Sequence, residues 1–298
     1  MNEMYLMYVF PGNEALGSLL ASHPGIETGT MHLHQFPDGE RLVQIRDEVE
    51  GRQVVVLCTL HEPDQVILPL LFLAGLLKQK GAASIVLLAP YLAYMRQDKA
   101  FHPGEAVTSD YFARLISQWF DALITIDPHL HRHHHLSELY SIPAYSLHAE
   151  ALIADYIQKN ISRPILIGPD AESEQWVSRI AQKAKCGFMI LHKERLGDKS
   201  VVIEQPSSDL TKNFVPVIVD DIFSTGETLA VTIDHVLKAG WSAPYCIGVH
   251  GLFAGHAWEM LQNKGVKQII TTNSVPHPSN GIDVSALLFE KLQQLSGG

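Results

Sequence analysis

The sequence predicts an α/β protein of two domains, each a mostly parallel sheet flanked by helices. Short β-branched runs alternate with longer helical patterns along the whole chain, an order typical of α/β folds. The runs VVVLC, IVLLA and ILIG are apolar throughout, and VIVD is apolar up to its final Asp220. Such runs indicate strands that are covered on both faces, as the strands of parallel sheets are. The length of 298 residues suits two domains of ordinary size.

The alternation gives nine strands and seven helices. The predicted strands are Tyr5–Phe10, Gln53–Leu60, Ser84–Pro90, Ala122–Asp127, Pro164–Gly168, Phe188–Leu191, Pro216–Asp220, Tyr245–His250 and Gln268–Thr272. The predicted helices are Pro63–Gln79, Ser109–Trp119, Ala149–Lys159, Glu172–Lys185, Thr228–Ala239, Gly255–Asn263 and Val284–Leu295. We expect the domains to span residues 1–145 and 146–298, with a crossover between the two halves within Tyr140–Ala149.

The composition limits the classes of binding partner and the cellular compartment that fit this chain. A net charge of −10 argues against non-specific nucleic-acid binding, because affinity for a phosphate backbone comes from clustered Lys and Arg. No apolar run approaches the ~20 residues that span a bilayer, and Met1 to Gly12 lacks the basic start of a signal peptide. Cys58, Cys186 and Cys246 have no paired spacing, which favours free thiols in a reducing compartment. We therefore expect a cytoplasmic protein without a membrane or nucleic-acid partner.

One strand leads into two carboxylates, a loop of small residues and a helix. Asp220 and Asp221 follow the apolar run, Ser224-Thr225-Gly226 form the loop, and the helix begins near Thr228. Ligands of open α/β sheets collect at the carboxyl ends of strands, and the N–H groups of a helix N-terminus suit a phosphate. The two carboxylates could accept hydrogen bonds from ribose hydroxyls. An Asp-rich turn followed by a Ser/Thr cap has the same pattern, so these residues alone leave both interpretations open.

This segment resembles the phosphoribosyl pyrophosphate loop of type I phosphoribosyltransferases and ribose-phosphate pyrophosphokinases. Other segments are similar to the pyrophosphokinases in particular and follow their order along the chain. They are Phe36-Pro37-Asp38-Gly39-Glu40, Pro90 to Lys99, Asp127-Pro128-His129, Gly168-Pro169-Asp170, His250-Gly251-Leu252-Phe253 and Thr272 to Pro276. The resemblance to the ribose-phosphate pyrophosphokinase family implies two phosphoribosyltransferase-type domains. It also implies a transferase that uses ATP and ribose 5-phosphate.

The resemblance assigns two segments to ATP. Phe36, Asp38, Gly39 and Glu40 match one ATP loop of the family, and Arg96, Gln97 and Lys99 match the second. In the family the first loop reaches an ATP site in a neighbouring subunit, so the resemblance implies a homo-oligomer with the ATP site at a subunit interface. Without the resemblance, a surface turn and a solvated charge cluster would be the better interpretations of these two segments.

The resemblance also implies a magnesium site, a catalytic pair and a ribose 5-phosphate site. His129 and Asp170 match metal ligands, and Lys193 and Arg195 match the catalytic Lys-x-Arg pair at the start of a flexible loop. The residues implied to bind ribose 5-phosphate are Arg195, Asp220, Asp221, Ser224, Thr225, Gly226, Glu227 and Thr228. His131, His133, His134 and His135 invite a transition-metal hypothesis, although a polar loop rich in histidine is the favoured interpretation.

Some positions depart from the family pattern. Ser224 and Glu227 stand where the family usually has Asp and a second Gly, and Glu172 stands in place of part of a Gly-Gly pair. The stretch from Phe101 to Ala106 is more similar to the archaeal-type branch. The implied reaction gives 5-phosphoribosyl 1-diphosphate and AMP. The alternatives are a non-catalytic regulatory paralogue of such a synthetase and a phosphoribosyltransferase.

Overall fold

A computed structural model describes residues 5–100, 102–130, 132–191 and 213–296. The chain divides into two compact units, residues 1–147 with 285–298 (unit 1) and residues 148–284 (unit 2). The predicted domain limits of 1–145 and 146–298 stay a prediction, and the C-terminal helix lies with unit 1 in the structure. Each unit has a parallel sheet of six strands, which confirms the predicted α/β class.

The sheet of unit 1 has the order β2-β1-β5-β6-β7-β8, and all of its neighbouring strands are parallel. These strands are β1 (Tyr5–Val9), β2 (Ile26–Thr28), β5 (Gln53–Leu57), β6 (Ser84–Leu88), β7 (Ala122–Ile126) and β8 (Ala144–Leu147). The central strands are buried almost completely, as their unbroken apolar runs predict.

Among the residues that the structure describes, four α-helices belong to unit 1. They are α1 (Glu14–Ala21), α2 (Pro63–Gln79), α3 (Thr108–Trp119) and α8 (Ser285–Ser296). Helix α2 begins with Pro63, whose fixed φ and missing N–H suit the first turn. Helix α8 packs on α1: the Tyr5 hydroxyl donates to the Leu292 carbonyl at 3.1 Å, and His23 stacks on Phe289 at 4.2 Å. The last helix thereby completes the fold of unit 1.

A two-stranded antiparallel hairpin stands apart from the main sheet of unit 1. It consists of β3 (Met31–Gln35) and β4 (Arg41–Ile45), with Met31 paired to Ile45 and Gln35 to Arg41. Met31, Leu33 and Val43 pack against the core of the unit, while His32 and His34 are exposed. The hairpin therefore has one face on the protein and one face in solvent.

The sheet of unit 2 has the order β10-β9-β11-β12-β13-β14 and is parallel throughout. Its strands are β9 (Pro164–Gly168), β10 (Gly187–Ile190), β11 (Val215–Phe223), β12 (Tyr245–Gly251), β13 (Gln268–Thr272) and β14 (Asn280–Ile282). Its helices are α4 (Glu150–Asn160), α5 (Glu174–Ala184), α6 (Glu227–Lys238) and α7 (Ala257–Gln262). Ile218, Cys246 and Ile233 lie in the core between this sheet and its helices.

Several predicted limits were wrong. Strand β11 runs on to Phe223 because Asp220 pairs with Gly248, and Ile222 with His250, on β12. Residues 140–149, predicted to contain the crossover between the two halves, contain both β8 and the division between the units at residues 147 and 148. No predicted element corresponds to β2, β3, β4, β8, β14 or α1. The helix predicted at Glu172 begins with a short 3₁₀ turn before α5.

Within the described ranges, no helix is both long enough and apolar enough to cross a membrane.

Candidate active site

The predicted ribose-phosphate loop lies at the carboxyl end of β11 in unit 2. Asp220 and Asp221 are half-buried inside the strand, and Ser224 to Gly226 connect it to α6. Gly226 has φ +75°, a conformation that glycine adopts without strain, and its carbonyl accepts the N–H of Ala230 at 2.8 Å. The structure thus has a strand–loop–helix arrangement, with the helix N-terminus directly after the small residues, and such an arrangement suits a phosphate.

The segment after β12 holds the first part of this loop. The N–H groups of Leu252 and Phe253 donate to the Phe223 carbonyl at 2.9 and 3.0 Å, and that of Ala254 donates to the Ser224 carbonyl at 3.1 Å. Phe253 is a non-glycine residue at φ +42°. Its hydrogen bonds explain how this uncommon conformation is kept, and they fix the backbone at the entrance to the loop.

Residues that the sequence analysis left without a role support the same end of the sheet. Buried His250 places Nδ1 2.9 Å from the Ser274 hydroxyl, and Thr272 donates to the Val249 carbonyl at 2.8 Å. The Thr272 and Ser274 hydroxyls are 2.8 Å apart. These residues occur in two of the segments that carry the family resemblance. That resemblance is the feature of the sequence that could have identified them as functional.

The carboxylates of Asp220, Asp221 and Asp170 interact electrostatically at this edge of unit 2. Burial and the neighbouring Asp221 carboxylate raise the pKa of Asp220 well above its ordinary value of 3.8, and Asp170 adds to the effect. The Asp221 N–H, which donates to Asp220 at 3.0 Å, opposes it. The structure therefore brings the predicted metal ligand Asp170 into the field of the predicted ribose residues. A bound cation would favour the ionised carboxylates here.

Asp170 is fixed by its own turn. Its carboxylate accepts the Ser173 N–H at 3.1 Å, while the Ser173 hydroxyl donates to the Asp170 carbonyl at 2.6 Å. Glu172, one of the departures from the family pattern, is exposed beside this turn. The turn orients Asp170 at the end of β9, which lies next to β11.

Glu227, the other acidic departure, is the first residue of α6 and is exposed. A carboxylate in the first turn interacts favourably with the positive end of the helix dipole. Its position gives Glu227 a stabilising role in the helix, independent of any ligand.

Replacing Gly226 tests the geometry of the loop. In Gly226→Ala the new Cβ would lie 3.0 Å from Leu261 Cδ1 and 3.1 Å from Met260 Cε, in addition to the φ strain. We expect urea denaturation to show a loss of about 2 kcal/mol in unfolding free energy. Gly240→Ala is the matched control, because Gly240 has φ +84° and open space around it. Equal losses in the two variants would show that packing around Gly226 is unimportant.

In unit 1, the predicted ATP residues Phe36, Asp38, Gly39 and Glu40 form the tip of the β3–β4 hairpin. All four are exposed. The Phe36 N–H donates to the Glu40 carbonyl at 2.9 Å, and the Asp38 carboxylate accepts the Glu40 N–H at 3.2 Å. Gly39 takes φ +94° to close the turn. The tip therefore presents an ordered polar turn and the Phe36 ring to solvent.

The second group of predicted ATP residues lies on the loop that follows β6. Arg96 is exposed, whereas Gln97 and Lys99 are half-buried. The Gln97 carbonyl accepts the Ser109 N–H at 3.4 Å, and Thr108 contacts the Gln97 side chain at 3.4 Å. These contacts tie the loop to the start of α3.

His129 lies on the loop that follows β7, half-buried and two residues after Asp127. Farther along this loop, Glu138 accepts the N–H groups of His134 and His135 at 3.0 and 3.2 Å, and it lies 3.2 Å from His133 Nδ1. Among the described residues, which omit His131, no group of three or more His, Cys, Asp or Glu side chains is placed to hold a metal ion. The predicted catalytic residues Lys193 and Arg195 lie outside the described residues.

Two family models match the chain. The N-terminal domain of ribose phosphate pyrophosphokinase matches residues 6–119, and the phosphoribosyl transferase domain matches residues 135–287. A crystal structure of phosphoribosylpyrophosphate synthetase from Mycobacterium smegmatis has the same fold. Its TM-score is 0.87 at 20% identity, over 99% of this chain and 100% of that one.

Curated relatives are similar over nearly their full length. The ribose-phosphate pyrophosphokinase of Methanopyrus kandleri is 30% identical over 95% of this chain and 96% of its own. That of Methanosarcina acetivorans is 32% identical over 96% of this chain and 98% of its own. Both relatives are consistent with the resemblance to the archaeal-type branch. On these matches, the chain belongs to the ribose-phosphate pyrophosphokinase family.

Proposed function

We propose that this protein transfers the diphosphoryl group of ATP to O1 of ribose 5-phosphate, giving 5-phosphoribosyl 1-diphosphate and AMP. The ribose O1 attacks the β-phosphorus of ATP, and the bond from that phosphorus to the oxygen that stays on AMP breaks. The hydroxyl proton passes to solvent. The observation that carries the proposal is the Asp220–Thr228 segment, a strand–loop–helix site in a chain of this family. The product would serve nucleotide biosynthesis.

The ribose 5-phosphate site has two parts. The loop of Ser224, Thr225 and Gly226, with the first turn of α6, would hold the 5-phosphate through N–H groups and hydroxyls. Asp220 and Asp221 would accept hydrogen bonds from the ribose hydroxyls and so orient O1 towards ATP. Positioning of this kind replaces much of what a general base would otherwise supply.

We infer that a magnesium ion binds beside the carboxylates of unit 2. Burial, the Asp221 carboxylate and Asp170 raise the pKa of Asp220, and a cation near these groups would relieve the crowding of negative charge. Magnesium keeps several waters and is commonly bound by one or two protein groups together with substrate phosphates. Asp170 and His129 are the proposed protein ligands. When bound, the ion would neutralise charge on the ATP phosphate oxygens.

Lys193 and Arg195 are the proposed catalytic residues. They match the Lys-x-Arg pair of the family. Their charges would stabilise the negative charge of the transferring group, which is the main protein contribution in phosphoryl chemistry. Arg195 would also contact ribose 5-phosphate.

ATP would be bound by Arg96, Gln97 and Lys99 together with the hairpin tip. The exposed tip supports a homo-oligomer in which Phe36, Asp38, Gly39 and Glu40 reach a neighbouring subunit. The three free cysteines, with Cys58 and Cys246 buried, support a cytoplasmic location.

A direct assay tests the function. Purified protein is incubated with ATP, ribose 5-phosphate and magnesium, and AMP and 5-phosphoribosyl 1-diphosphate are quantified. We expect both products in equal amounts and a loss of about 100-fold or more in kcat for Lys193→Ala, typical for removal of a transition-state donor. If the wild-type protein makes no more product than Lys193→Ala, the regulatory paralogue becomes the better proposal.

A further inference from the structure

Two loops of unit 1 leave the carboxyl ends of neighbouring strands. The first follows β6 and contains the proposed ATP residues Arg96, Gln97 and Lys99. The second follows β7 and contains His129. Because β6 and β7 pair in parallel, with Leu88 opposite Ile124, the two loops start side by side. The distance between the two loops therefore affects how the proposed ATP residues and His129 can bind ATP and its metal ion at the same time.

Asp98 is turned inward in the middle of the first loop. Its side chain is only 8% exposed, whereas its neighbour Arg96 is exposed. One carboxylate oxygen lies 3.6 Å from Nε of Arg132, and within the described ranges the other oxygen, which is buried, has no hydrogen-bond partner. A buried carboxylate with incomplete pairing is costly, so the charge of Arg132 matters to this loop.

Arg132 belongs to the second loop, three residues after His129. Its side chain is 52% exposed, and its contact with Asp98 crosses from one loop to the other. Other contacts fasten the first loop to helices: the Tyr94 hydroxyl donates to Asp64 on α2, and the Ser109 N–H on α3 donates to the Gln97 carbonyl. The Asp98–Arg132 ion pair instead joins the first loop to the loop of His129.

We propose that Asp98 and Arg132 are positioning residues that set the spacing between the two ATP-contacting loops. The inference rests on the proposed function, in which ATP is the donor. Loss of the ion pair leaves the chain folded but lets the loops separate. ATP then cannot meet Arg96, Lys99 and His129 in one arrangement, so its binding weakens while the ribose 5-phosphate site in unit 2 is unaffected.

The test compares Arg132→Ala, Arg132→Lys, Asp98→Asn and the double variant Asp98→Asn/Arg132→Ala by steady-state kinetics. We expect Arg132→Ala to raise the KM for ATP about tenfold, with kcat and the KM for ribose 5-phosphate changed less than about twofold. Arg132→Lys should recover part of the loss. The double variant should be no worse than the more damaging single change, because both break one interaction. Arg114→Ala, an exposed arginine of α3 that contacts Tyr111, is the matched control and should match the wild type.

Two outcomes would overturn the proposal. Multiplicative effects in the double variant would mean that the residues act separately. Tighter ATP binding in Asp98→Asn, together with weaker binding in Arg132→Ala, would mean that Arg132 contacts the phosphates directly. If Asp98→Asn does not fold, as judged by circular dichroism, Arg132→Ala and Arg132→Lys still decide the question.

Calorimetry of ATP binding with magnesium separates this inference from the proposed function. Wild-type protein that binds ATP but makes no 5-phosphoribosyl 1-diphosphate refutes the function, and the variants still test the loop spacing through their affinities. Wild-type protein that does not bind ATP refutes both.

Discussion

The Asp220→Asn variant is expected to be more stable than the wild-type protein at pH 8 and far less active. Burial and Asp221 raise the pKa of Asp220 in the folded chain, so folding favours its protonated form. That advantage is complete below the ordinary value of 3.8 and is lost as the pH rises through the raised pKa. At pH 8 the wild-type protein must either carry an unfavourable charge at Asp220 or take up a proton there when it folds, and asparagine removes both costs.

Urea denaturation without magnesium should show a gain of at least about 1 kcal/mol at pH 8 and little difference near pH 4. The same variant should lose about 100-fold in kcat/KM for ribose 5-phosphate, since hydrogen bonds to a charged acceptor are worth about 1.5–3 kcal/mol. Asp234→Asn is the control, because Asp234 pairs with Lys264 at 2.6 Å with 40% of its side chain exposed, and surface pairs contribute about 0–1 kcal/mol. A destabilised Asp220→Asn variant at pH 8 would contradict the electrostatic account.

Gly168→Ala should destabilise unit 2 and disturb the turn that holds Asp170. Gly168 ends β9, which lies between β10 and β11. An added Cβ would lie 2.5 Å from the Ser173 hydroxyl and 2.6 Å from Ile190 Cδ1. The Ser173 hydroxyl would have to move, and its hydrogen bond to the Asp170 carbonyl would be lost, which disturbs the turn in which the Ser173 N–H donates to the Asp170 carboxylate. We expect a loss of about 3 kcal/mol in unfolding free energy, the upper end of typical overpacking costs.

The activity of Gly168→Ala should also need more magnesium, since Asp170 is a proposed ligand. Gly187→Ala on the adjacent strand is the control, because its nearest atom, Ile165 Cγ1, is 3.9 Å away. That change should alter the unfolding free energy by about 0.5 kcal/mol or less. A magnesium titration of both variants, with stability measured in parallel, checks the prediction. An unchanged magnesium requirement in Gly168→Ala would contradict the proposal that Asp170 binds the metal ion.

The predicted elements that match the structure most closely contain many buried residues. Helix α2 and strands β9 and β13 begin and end at the predicted residues. The unbroken apolar run of β9 leaves few alternatives, because both faces of this strand must be covered. Strands β2, β8 and β14 lie at sheet edges and were not predicted. They have three or four residues each, too few to produce a clear hydrophobic period.

The end of β11 shows why part of the site could not be predicted. Two adjacent aspartates have low strand propensity and look like a turn, yet pairing with β12 extends the strand through them. The influence of Asp170 on Asp220 depends on β9 lying beside β11, an order that the sequence does not specify. Individual residues such as Ser224 could be named from the sequence, but the backbone contacts from Ala254 that hold the loop are non-local.

The position of α8 has a consequence for synthesis of the chain. Unit 1 starts at β1 but obtains its last helix only after residues 148–284 have been made. During synthesis, the hydrogen bond from Tyr5 to Leu292 and the stacking of His23 on Phe289 can form only after the described strands of unit 2 have been made. The usual order, in which the N-terminal domain folds first, is therefore reversed for the final step: the half that emerges first is the half completed last.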